Sequence, residues 1–444
     1  MGLAFTLPFE FVPTIEAYGL RLRLSLPLGL ALMAIAAARL ATGRQRFGQL
    51  GLPQWLLAAY GLWLLISAVP PLSFDKAVGV VVPMGFMIGV ALAASVLWER
   101  RYLAGSLRAA LWGAAAATVF GFYQFFGNWA GLPQWATALR EEYSWERFGF
   151  PRIQATALEP LYFSAFLLLP IGLLSALIIN SPRYRRWPYY VLLLGMLLAD
   201  VLTLSRGGLV ALVVMQLLIA GLSWRQLRLR RNFKKVAVVV LGAVAVLAMA
   251  AMIINVIGRQ GNRTDLTYGK QGAATFVSRL TDLNPDASQA NHRNNDSTSV
   301  RERGREQAID ILSSAPDVLW FGVGAGQYET YAERRLGPQN AVLPNNLVLE
   351  QLLQYGIVGF GLLMATGLLV LIGLLRRVGQ NDLPGLVAKA LAAYLVALFL
   401  QAQTFSGIAL THLWFAIGLG LFLVQWHPDK RKRHAQKADP QKEA

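Results

Sequence analysis

Cysteine is absent from this 444-residue chain, and histidine occurs four times. The missing thiol excludes disulfide bonds, thiolate nucleophiles and cysteine-ligated metals or clusters. The histidines are scattered along the sequence, which does not favour a histidine-based metal site. Charge is also scarce, because 15% of the residues are charged, whereas about a quarter is usual for a soluble domain. The composition is therefore not that of a soluble protein.

The chain is instead rich in hydrophobic residues, which make up 55% of it. Runs of about 18 or more apolar residues recur from end to end, as in polytopic helical membrane proteins. The predicted fold class is all-α, a transmembrane helical bundle of about 11–12 spans with a long loop that contains helices. The spans are predicted near 23–40, 54–70, 78–97, 104–126, 159–180, 188–204, 207–223, 236–256, 347–375, 386–404 and 408–426.

The formal net charge of +17 is concentrated in short loops between these runs. This pattern is typical of the positive-inside rule, so we expect no nucleic-acid partner and assign the basic loops to the cytoplasm. The long loops 127–158 and 257–346 then face the far side. The predicted divisions are 1–256 for the N-terminal helices with a first outer loop near 127–158, 257–346 for a large catalytic loop, 347–426 for the C-terminal helices and 427–444 for a disordered basic tail.

Ser205 and Arg206 lie where the sixth span ends at the outer side and the seventh begins. An ionisable residue at the membrane is costly and is a candidate functional residue by default. A guanidinium group there presents a planar fork of donors to an anion. The alternative is an arginine that snorkels at a helix end.

Arg301, Arg303 and Arg305 crowd the start of a helix predicted over residues 297–314. Cations oppose the dipole at a helix N-terminus, so the cluster favours an anionic ligand or partner. The alternative is a solvated helix face. The later run Gly322-x-Gly324-x-Gly326 follows no βα unit and precedes no Lys-Ser/Thr, so we interpret it as a tight turn rather than a phosphate loop.

Further candidates lie in the first outer loop and at the edges of spans. Glu159 is placed to orient an arginine or bind a sugar hydroxyl, or else simply begins a helix with Pro160 at its first position. Tyr328 is placed to stack on a sugar ring, although an aromatic at the membrane interface is equally typical. The other substrate-binding candidates are Arg147, Arg152, Asn346 and His412.

The order of these elements resembles the O-antigen ligase and O-antigen polymerase superfamily. It runs from Ser205-Arg206-Gly207 at the outer start of a span, through a long outer loop with an Arg-led helix, to Pro316 and the glycine run. Asn346-x-x-Leu349-Glu350 then enters the next span. The resemblance covers about residues 200–375 and is carried by the ordered set rather than by any single motif.

This resemblance implies a multi-pass glycosyltransferase of the bacterial inner membrane, with its active site facing the periplasm and with no metal, cofactor or nucleotide sugar. The donor would be a glycan on undecaprenyl pyrophosphate, and the acceptor another lipid-linked glycan, lipid A core or a protein. Membrane lipids are further expected partners. Arginines that match Arg206 and Arg301 bind the pyrophosphate in the family, so both are assigned here as catalytic, together with Asn345 and Glu350.

One departure from the family concerns the histidine proposed as the base, which usually precedes Leu-Glu. This chain has Pro344-Asn345-Asn346 there, and asparagine cannot act as a general base. Glu350, Glu159 and His412 are candidates to replace it. The missing histidine favours a polysaccharide polymerase, with O-antigen ligase and protein O-oligosaccharyltransferase as alternatives. A flippase or transporter is the alternative of another class, although the spans carry little charge at mid-bilayer.

Overall fold

The computed structural model describes residues 1–10, 14–17, 20–43, 50–69, 71–145, 151–229, 297–337 and 342–425. The predicted span at 236–256 and the predicted tail at 427–444 lie outside these ranges. Arg147 and the part of the long loop before residue 297 also lie outside them.

α-Helices make up most of the described chain, and the majority of them are apolar. In order they are α1 (Gly2–Phe5), α2 (Ser25–Ala41), α3 (Leu52–Ser67), α4 (Phe74–Leu97), α5 (Arg100–Trp129), α6 (Gln134–Thr137), α7 (Pro160–Asn180), α8 (Trp187–Leu202), α9 (Arg206–Leu229), α10 (Ser297–Ser314), α11 (Pro316–Phe321), α12 (Tyr328–Leu336), α13 (Leu347–Leu375), α14 (Leu383–Gln401) and α15 (Thr411–Gln425). Within the described ranges, six of them (α4, α5, α7, α9, α13 and α14) are long and apolar enough to cross a membrane. The shorter apolar helices are α2, α3, α8 and α15. The predicted fold class, a polytopic helical bundle, is confirmed.

Every predicted span that falls within the described ranges coincides with one of these helices. Their boundaries follow local chemistry, since proline occupies the first turn of α3, α7, α8 and α14. Proline suits this place because the first N–H groups of a helix have no intrahelical partner. Asp382 caps α14, where its side chain accepts a hydrogen bond from the Gly385 N–H at 3.1 Å.

The central helix of the bundle is α7, which is buried along nearly its whole length. It packs against α14 on one side and α9 on another. Its apolar residues cover the whole circumference, as expected of a helix that neighbours enclose on every side. The start of α7 is therefore held firmly by the surrounding bundle.

One short hairpin adds to the predicted all-helical architecture. Strand β1 (Thr14–Ala17) pairs antiparallel with β2 (Leu20–Arg23), and Thr14 lies opposite Arg23. β2 alternates leucine and arginine, and a run of four residues is the shortest in which such alternation indicates a strand. The hairpin leads directly into α2 and places Arg23 next to its start.

Helices α10, α11 and α12 form a small unit with a hydrophobic core of its own. Ala308, Ile311, Val318 and Tyr328 are buried in this core together with Leu353. Because Leu353 belongs to α13, the core joins the long loop to the first turns of a membrane helix.

Helix α13 is broken at Gly356, where φ is 64° and ψ is −174°. Beside the break, the carbonyls of Leu353 and Gln354 accept hydrogen bonds from the N–H groups of Val323 and Gly324 at 2.7 and 3.0 Å. A bilayer offers no water to such backbone groups, so the protein must satisfy them itself. The three glycines of the predicted turn have φ values of 78°, 102° and 71°. The turn therefore docks the loop on the broken helix.

Candidate functional site

Several membrane helices begin at the end of the bundle that carries the loop helices. α7, α9, α13 and α15 start there, and contacts between them and the loop are given below. The N-terminus of a helix carries unsatisfied N–H groups and a partial positive charge. This end of the bundle, called the site end here, is therefore suited to an anion.

A tight corner fixes the position of Arg206. Helix α8 ends at Leu202, and Leu204 adopts a left-handed conformation with φ of 53°. The Ser205 hydroxyl accepts a hydrogen bond from the Gly208 N–H at 3.2 Å, which caps α9. Arg206 is the first residue of α9, and its side chain is exposed. A strained non-glycine residue such as Leu204 persists where the surrounding structure determines it, often beside a functional site.

Arg301 is half-buried and lies close to two other arginines. Burial, together with the like charges of Arg305 and Arg206, lowers the pKa of the Arg301 guanidinium, while Glu159 opposes this effect. Arg301 and Arg305 are four residues apart and share one face of α10. Arg303 is exposed and, two residues from Arg301, faces away from it, so the structure does not bring it to this group.

The segment before α7 adds two more guanidinium groups around one tyrosine. The guanidinium carbons of Arg152 and Arg140 lie 5.6 and 5.9 Å from the ring centroid of Tyr143. Arg152 Nε also donates to the Thr203 carbonyl at 3.2 Å, which ties the segment to the corner before Arg206. Burial, followed by the charge of Glu159, raises the pKa of Tyr143 to about 12.

Glu159 is the carboxylate at the centre of this group. Burial raises its pKa above the ordinary value, whereas the charges of Arg140, Arg152 and Arg301 act in the opposite direction. Its position at the start of α7 keeps it between the segment before α7 and the loop helix α10. Glu159 is therefore placed to orient arginines, one of the two roles expected of it from the sequence.

These residues form an arginine cluster, which consists of Arg140, Arg152, Arg206, Arg301 and Arg305 with the carboxylates of Glu142 and Glu159. Arg140 pairs with Glu142 at 3.0 Å. Positive charge is in excess, and part of it is withdrawn from solvent, where electrostatic attraction is stronger than in water. Such an arrangement can bind a doubly charged anion, because planar guanidinium groups donate in pairs to phosphate oxygens.

A comparison with protein families agrees with this geometry. Residues 191–364 match the family model described as O-antigen ligase. This match covers less than half of the chain, and it supports a relationship of that region to the O-antigen ligase and polymerase superfamily. The search of curated proteins returns no significant match. The O-antigen ligase match includes Arg206 and the three arginines of α10, while Arg140, Arg152 and Glu159 lie before it.

Two asparagines occupy the place where the family resemblance leads us to expect a histidine. Asn346 caps α13, since its Oδ1 accepts a hydrogen bond from the Leu349 N–H at 3.1 Å. Asn345 adopts φ of 44°, and its Oδ1 accepts from the Ser406 hydroxyl at 3.4 Å. Both asparagines are thus built into the entry of α13 in the ligase-family region.

The connection between α14 and α15 contributes groups that the sequence did not reveal. The Gln403 carbonyl accepts hydrogen bonds from Arg305 Nη2 and Asn346 Nδ2, each at 3.4 Å. The Ser406 carbonyl accepts from the Tyr162 hydroxyl at 3.0 Å. The polar residues of this connection interrupt two apolar runs, which was the signal available in the sequence.

Glu350 holds this connection in place. Its Oε2 accepts a hydrogen bond from the Gly407 N–H at 2.6 Å, and its Oε1 accepts from Gln354 Nε2 at 3.0 Å. The Gln354 amide in turn binds the Gly326 N–H at 3.0 Å. With both carboxylate oxygens engaged, Glu350 is placed to position the connection rather than to take a proton from a substrate.

Replacing Glu350 with alanine is expected to destabilise the protein. The Gly407 N–H and the Gln354 amide would each lose a buried partner, at a cost of about 1–3 kcal/mol per group. The measurement is the midpoint of thermal unfolding in detergent, alongside glycan transfer. A variant with an unchanged midpoint and no transfer would instead indicate direct participation in catalysis.

Two other predicted site residues are buried in packed interiors. Tyr328 is 3% exposed in the core of the loop helices, and its hydroxyl donates to the Val342 carbonyl at 3.0 Å. Burial raises its pKa to about 12. His412 is fully buried, with its ring 5.7 Å from that of Phe166 in an edge-on arrangement. Neither side chain is presented to the arginine cluster.

Proposed function

We propose that this protein is an inverting, metal-independent glycosyltransferase that takes a glycan from undecaprenyl pyrophosphate at the periplasmic face of the bacterial inner membrane. It passes the glycan to another lipid-linked glycan and so polymerises a polysaccharide, either O-antigen or exopolysaccharide. The proposal rests on the arginine cluster at the site end and on the match of residues 191–364 to the O-antigen ligase family model.

The chemistry follows from what the arginine cluster offers. Diphosphate is a good leaving group once its developing negative charge is stabilised, and fixed guanidinium groups at a low-dielectric boundary supply that stabilisation. Arg206, Arg301 and Arg305 would bind the diphosphate, while the acceptor hydroxyl attacks the anomeric carbon from the opposite face. Attack from that face inverts the anomeric configuration.

The distribution of charge supports the periplasmic orientation. The opposite end of the bundle carries Arg100 and Arg101 at the start of α5, Arg185 and Arg186 before α8, and Arg376 and Arg377 after α13. By the positive-inside rule, these turns belong to the cytoplasm. The site end and the proposed catalytic loop, 257–346, would then face the periplasm.

The choice of acceptor depends on the entry of α13. Asn345 stands where a histidine base is expected in the family resemblance, which favours a polymerase over a ligase that transfers glycan to lipid A core. Transfer to a protein is the remaining acceptor class, and movement of the lipid-linked glycan without chemistry is the alternative outside the enzymes.

The proposal is tested with purified protein in proteoliposomes that contain the lipid-linked glycan of the producing strain. Longer lipid-linked glycans and released undecaprenyl pyrophosphate are the expected products. Conversion only after lipid A core is added would indicate a ligase, and conversion only after a protein is added would indicate protein glycosylation. Translocation of unchanged glycan would indicate a flippase and contradict the proposed activity.

A further inference from the structure

A pocket of about 200 Å³ with both polar and apolar lining residues lies beside the arginine cluster at the site end. Glu10, Arg23, Tyr162, Ser406 and Gly407 are among its lining residues. A typical site for a drug-sized ligand is about 300–1,000 Å³, so this pocket suits a smaller group such as one sugar ring. A carboxylate, a guanidinium and a phenol in one small pocket are groups that bind the hydroxyls of a sugar.

Glu10 carries the pocket's negative charge. It lies in the segment between α1 and β1, and 12% of its side chain is exposed. Its Oε1 accepts a hydrogen bond from the Thr411 N–H at 2.9 Å and lies 3.6 Å from His412 Nδ1. Burial alone would raise its pKa, but His412, Arg23 and the Thr411 N–H together lower the pKa below its usual value.

Capping of α15 alone does not account for Glu10. An N-cap needs one acceptor oxygen on a short side chain, usually that of Ser, Thr, Asp or Asn. Glu10 instead reaches the start of α15 from a segment 401 positions away in the sequence. It also lines a pocket together with Arg23, so the carboxylate is both ionised and accessible to a ligand.

The pocket and the arginine cluster share the start of α7 as a wall. Leu158 lines the pocket, and its carbonyl accepts a hydrogen bond from Arg140 Nη1 at 3.4 Å. Tyr162, one turn into α7, also lines the pocket, and its N–H donates to the Glu159 carbonyl at 3.1 Å. A sugar in the pocket would therefore lie next to a diphosphate held by the arginines.

We propose that this pocket binds the acceptor sugar and that Glu10 is the general base of the transfer. The inference rests on the proposed function. The acceptor hydroxyl oxygen forms a bond to the donor's anomeric carbon, and its proton passes to the Glu10 carboxylate. The bond between that carbon and the diphosphate oxygen breaks, and its electron pair leaves with the diphosphate in the arginine cluster. Glu10 thus acts as the general base, a role that the amide side chain of Asn345 cannot fill.

The other candidate bases are less well placed. Both carboxylate oxygens of Glu350 accept hydrogen bonds from the protein, and His412 has no exposed surface. Glu159 lies among arginines that would hold the leaving group. A base must reach the proton of the attacking hydroxyl, and Glu10 is the carboxylate that lines the acceptor-sized pocket.

Glu10→Gln tests the base, because glutamine can keep the hydrogen bond from Thr411 but accepts no proton. Transfer in proteoliposomes with lipid-linked glycan is expected to fall by about a hundred- to ten-thousandfold, while binding of the lipid-linked glycan is unchanged. Glu306→Gln, which changes an exposed glutamate of α10, is the matched control and keeps the wild-type rate. Transfer by Glu10→Gln near the wild-type rate would overturn the assignment.

Azide separates loss of a base from loss of structure, because this anion attacks carbon without first losing a proton. In Glu10→Gln, added sodium azide is expected to restore turnover as glycosyl azide and released undecaprenyl pyrophosphate. In Arg301→Ala, whose defect lies in the leaving group, azide restores nothing. Failure of azide to restore turnover in a folded Glu10→Gln protein would also overturn the assignment.

Ala409→Phe tests the pocket independently of any charge, since Ala409 lines it and the larger ring would fill it. The KM for lipid-linked glycan in polymerisation is expected to rise because the acceptor is itself a lipid-linked glycan, while formation of glycosyl azide, which uses only the donor, stays the same. An unchanged KM would mean that the acceptor does not bind in this pocket.

If the wild-type protein transfers glycan but the Glu10 and Ala409 variants do so equally well, this inference fails and the proposed function stands. If the wild-type protein transfers nothing, the proposed function fails.

Discussion

Arg301→Ala is expected to slow glycan transfer by about a hundred- to a thousandfold, equivalent to about 2.7–4 kcal/mol of activation free energy. Arg301 is half-buried and lies in the combined field of Arg206 and Arg305. Negative charge that develops on a leaving diphosphate would be stabilised strongly there, since the local dielectric is low. The measurement is the single-turnover rate in proteoliposomes at saturating lipid-linked glycan, with protein yield and thermal midpoint close to those of the wild type.

Arg303→Ala is the matched control for this variant. It removes the same charge from the same helix, but from an exposed side chain that faces away from Arg301 and Arg305. If the position of the charge within the arginine cluster matters, Arg303→Ala keeps most of the transfer activity. Arg206→Ala then loses activity to about the same extent as Arg301→Ala. Equal losses of transfer rate for Arg301→Ala and Arg303→Ala would mean that the arginines act only through general electrostatic attraction. Near-normal transfer by Arg301→Ala would contradict the proposed role.

Gly356→Ala is expected to have the largest effect on folding. At φ of 64°, a side chain adds strain of about 1–3 kcal/mol. The new methyl group would also overlap the Trp320 carbonyl, because α11 crosses directly over the break. Forcing atoms into a packed interior costs about a further 1–3 kcal/mol. A lowered thermal midpoint in detergent, with low protein yield, is the expected result.

Gly361→Ala serves as the control for Gly356→Ala. Gly361 lies in the same helix, and nothing lies within 4 Å of the place where its methyl group would go. Alanine favours the helix over glycine by about 0.8–1 kcal/mol, so this variant should be at least as stable as the wild type. Similar destabilisation by both substitutions would mean that the break at Gly356 is not a fixed feature of the fold.

The membrane helices were predictable because their signal is local. A run of apolar residues must be buried in lipid or protein wherever it lies in the chain, so span positions follow from hydropathy alone. The loop helix predicted over 297–314 is observed as α10 with the same bounds. The glycine run was interpreted as a turn because it lacks the sequence context of a phosphate loop, and its positive φ values agree with a turn.

The site was less predictable because its contacts join distant parts of the chain. The hydrogen bond between Tyr162 and Ser406 spans 244 positions, and that between Glu10 and Thr411 spans 401. No local pattern marks such partners. The grouping of Arg206 with Arg301 came from the family resemblance, whereas Gln403 emerged from the fold. Tyr328 shows the converse problem, since a tyrosine in a polar loop does not reveal that a small core surrounds it.

The core shared by α10, α11, α12 and Leu353 has a mechanical consequence. Leu349, Leu352 and Leu353 of α13 pack with the loop helices, whereas Leu347 and Tyr355 of the same turns belong to the core of the membrane bundle. The turns of α13 before Gly356 therefore couple the loop helices to the membrane bundle, and Glu350 extends this coupling to the Gly407 N–H. A ligand that displaces the loop helices would then also displace the connection between α14 and α15.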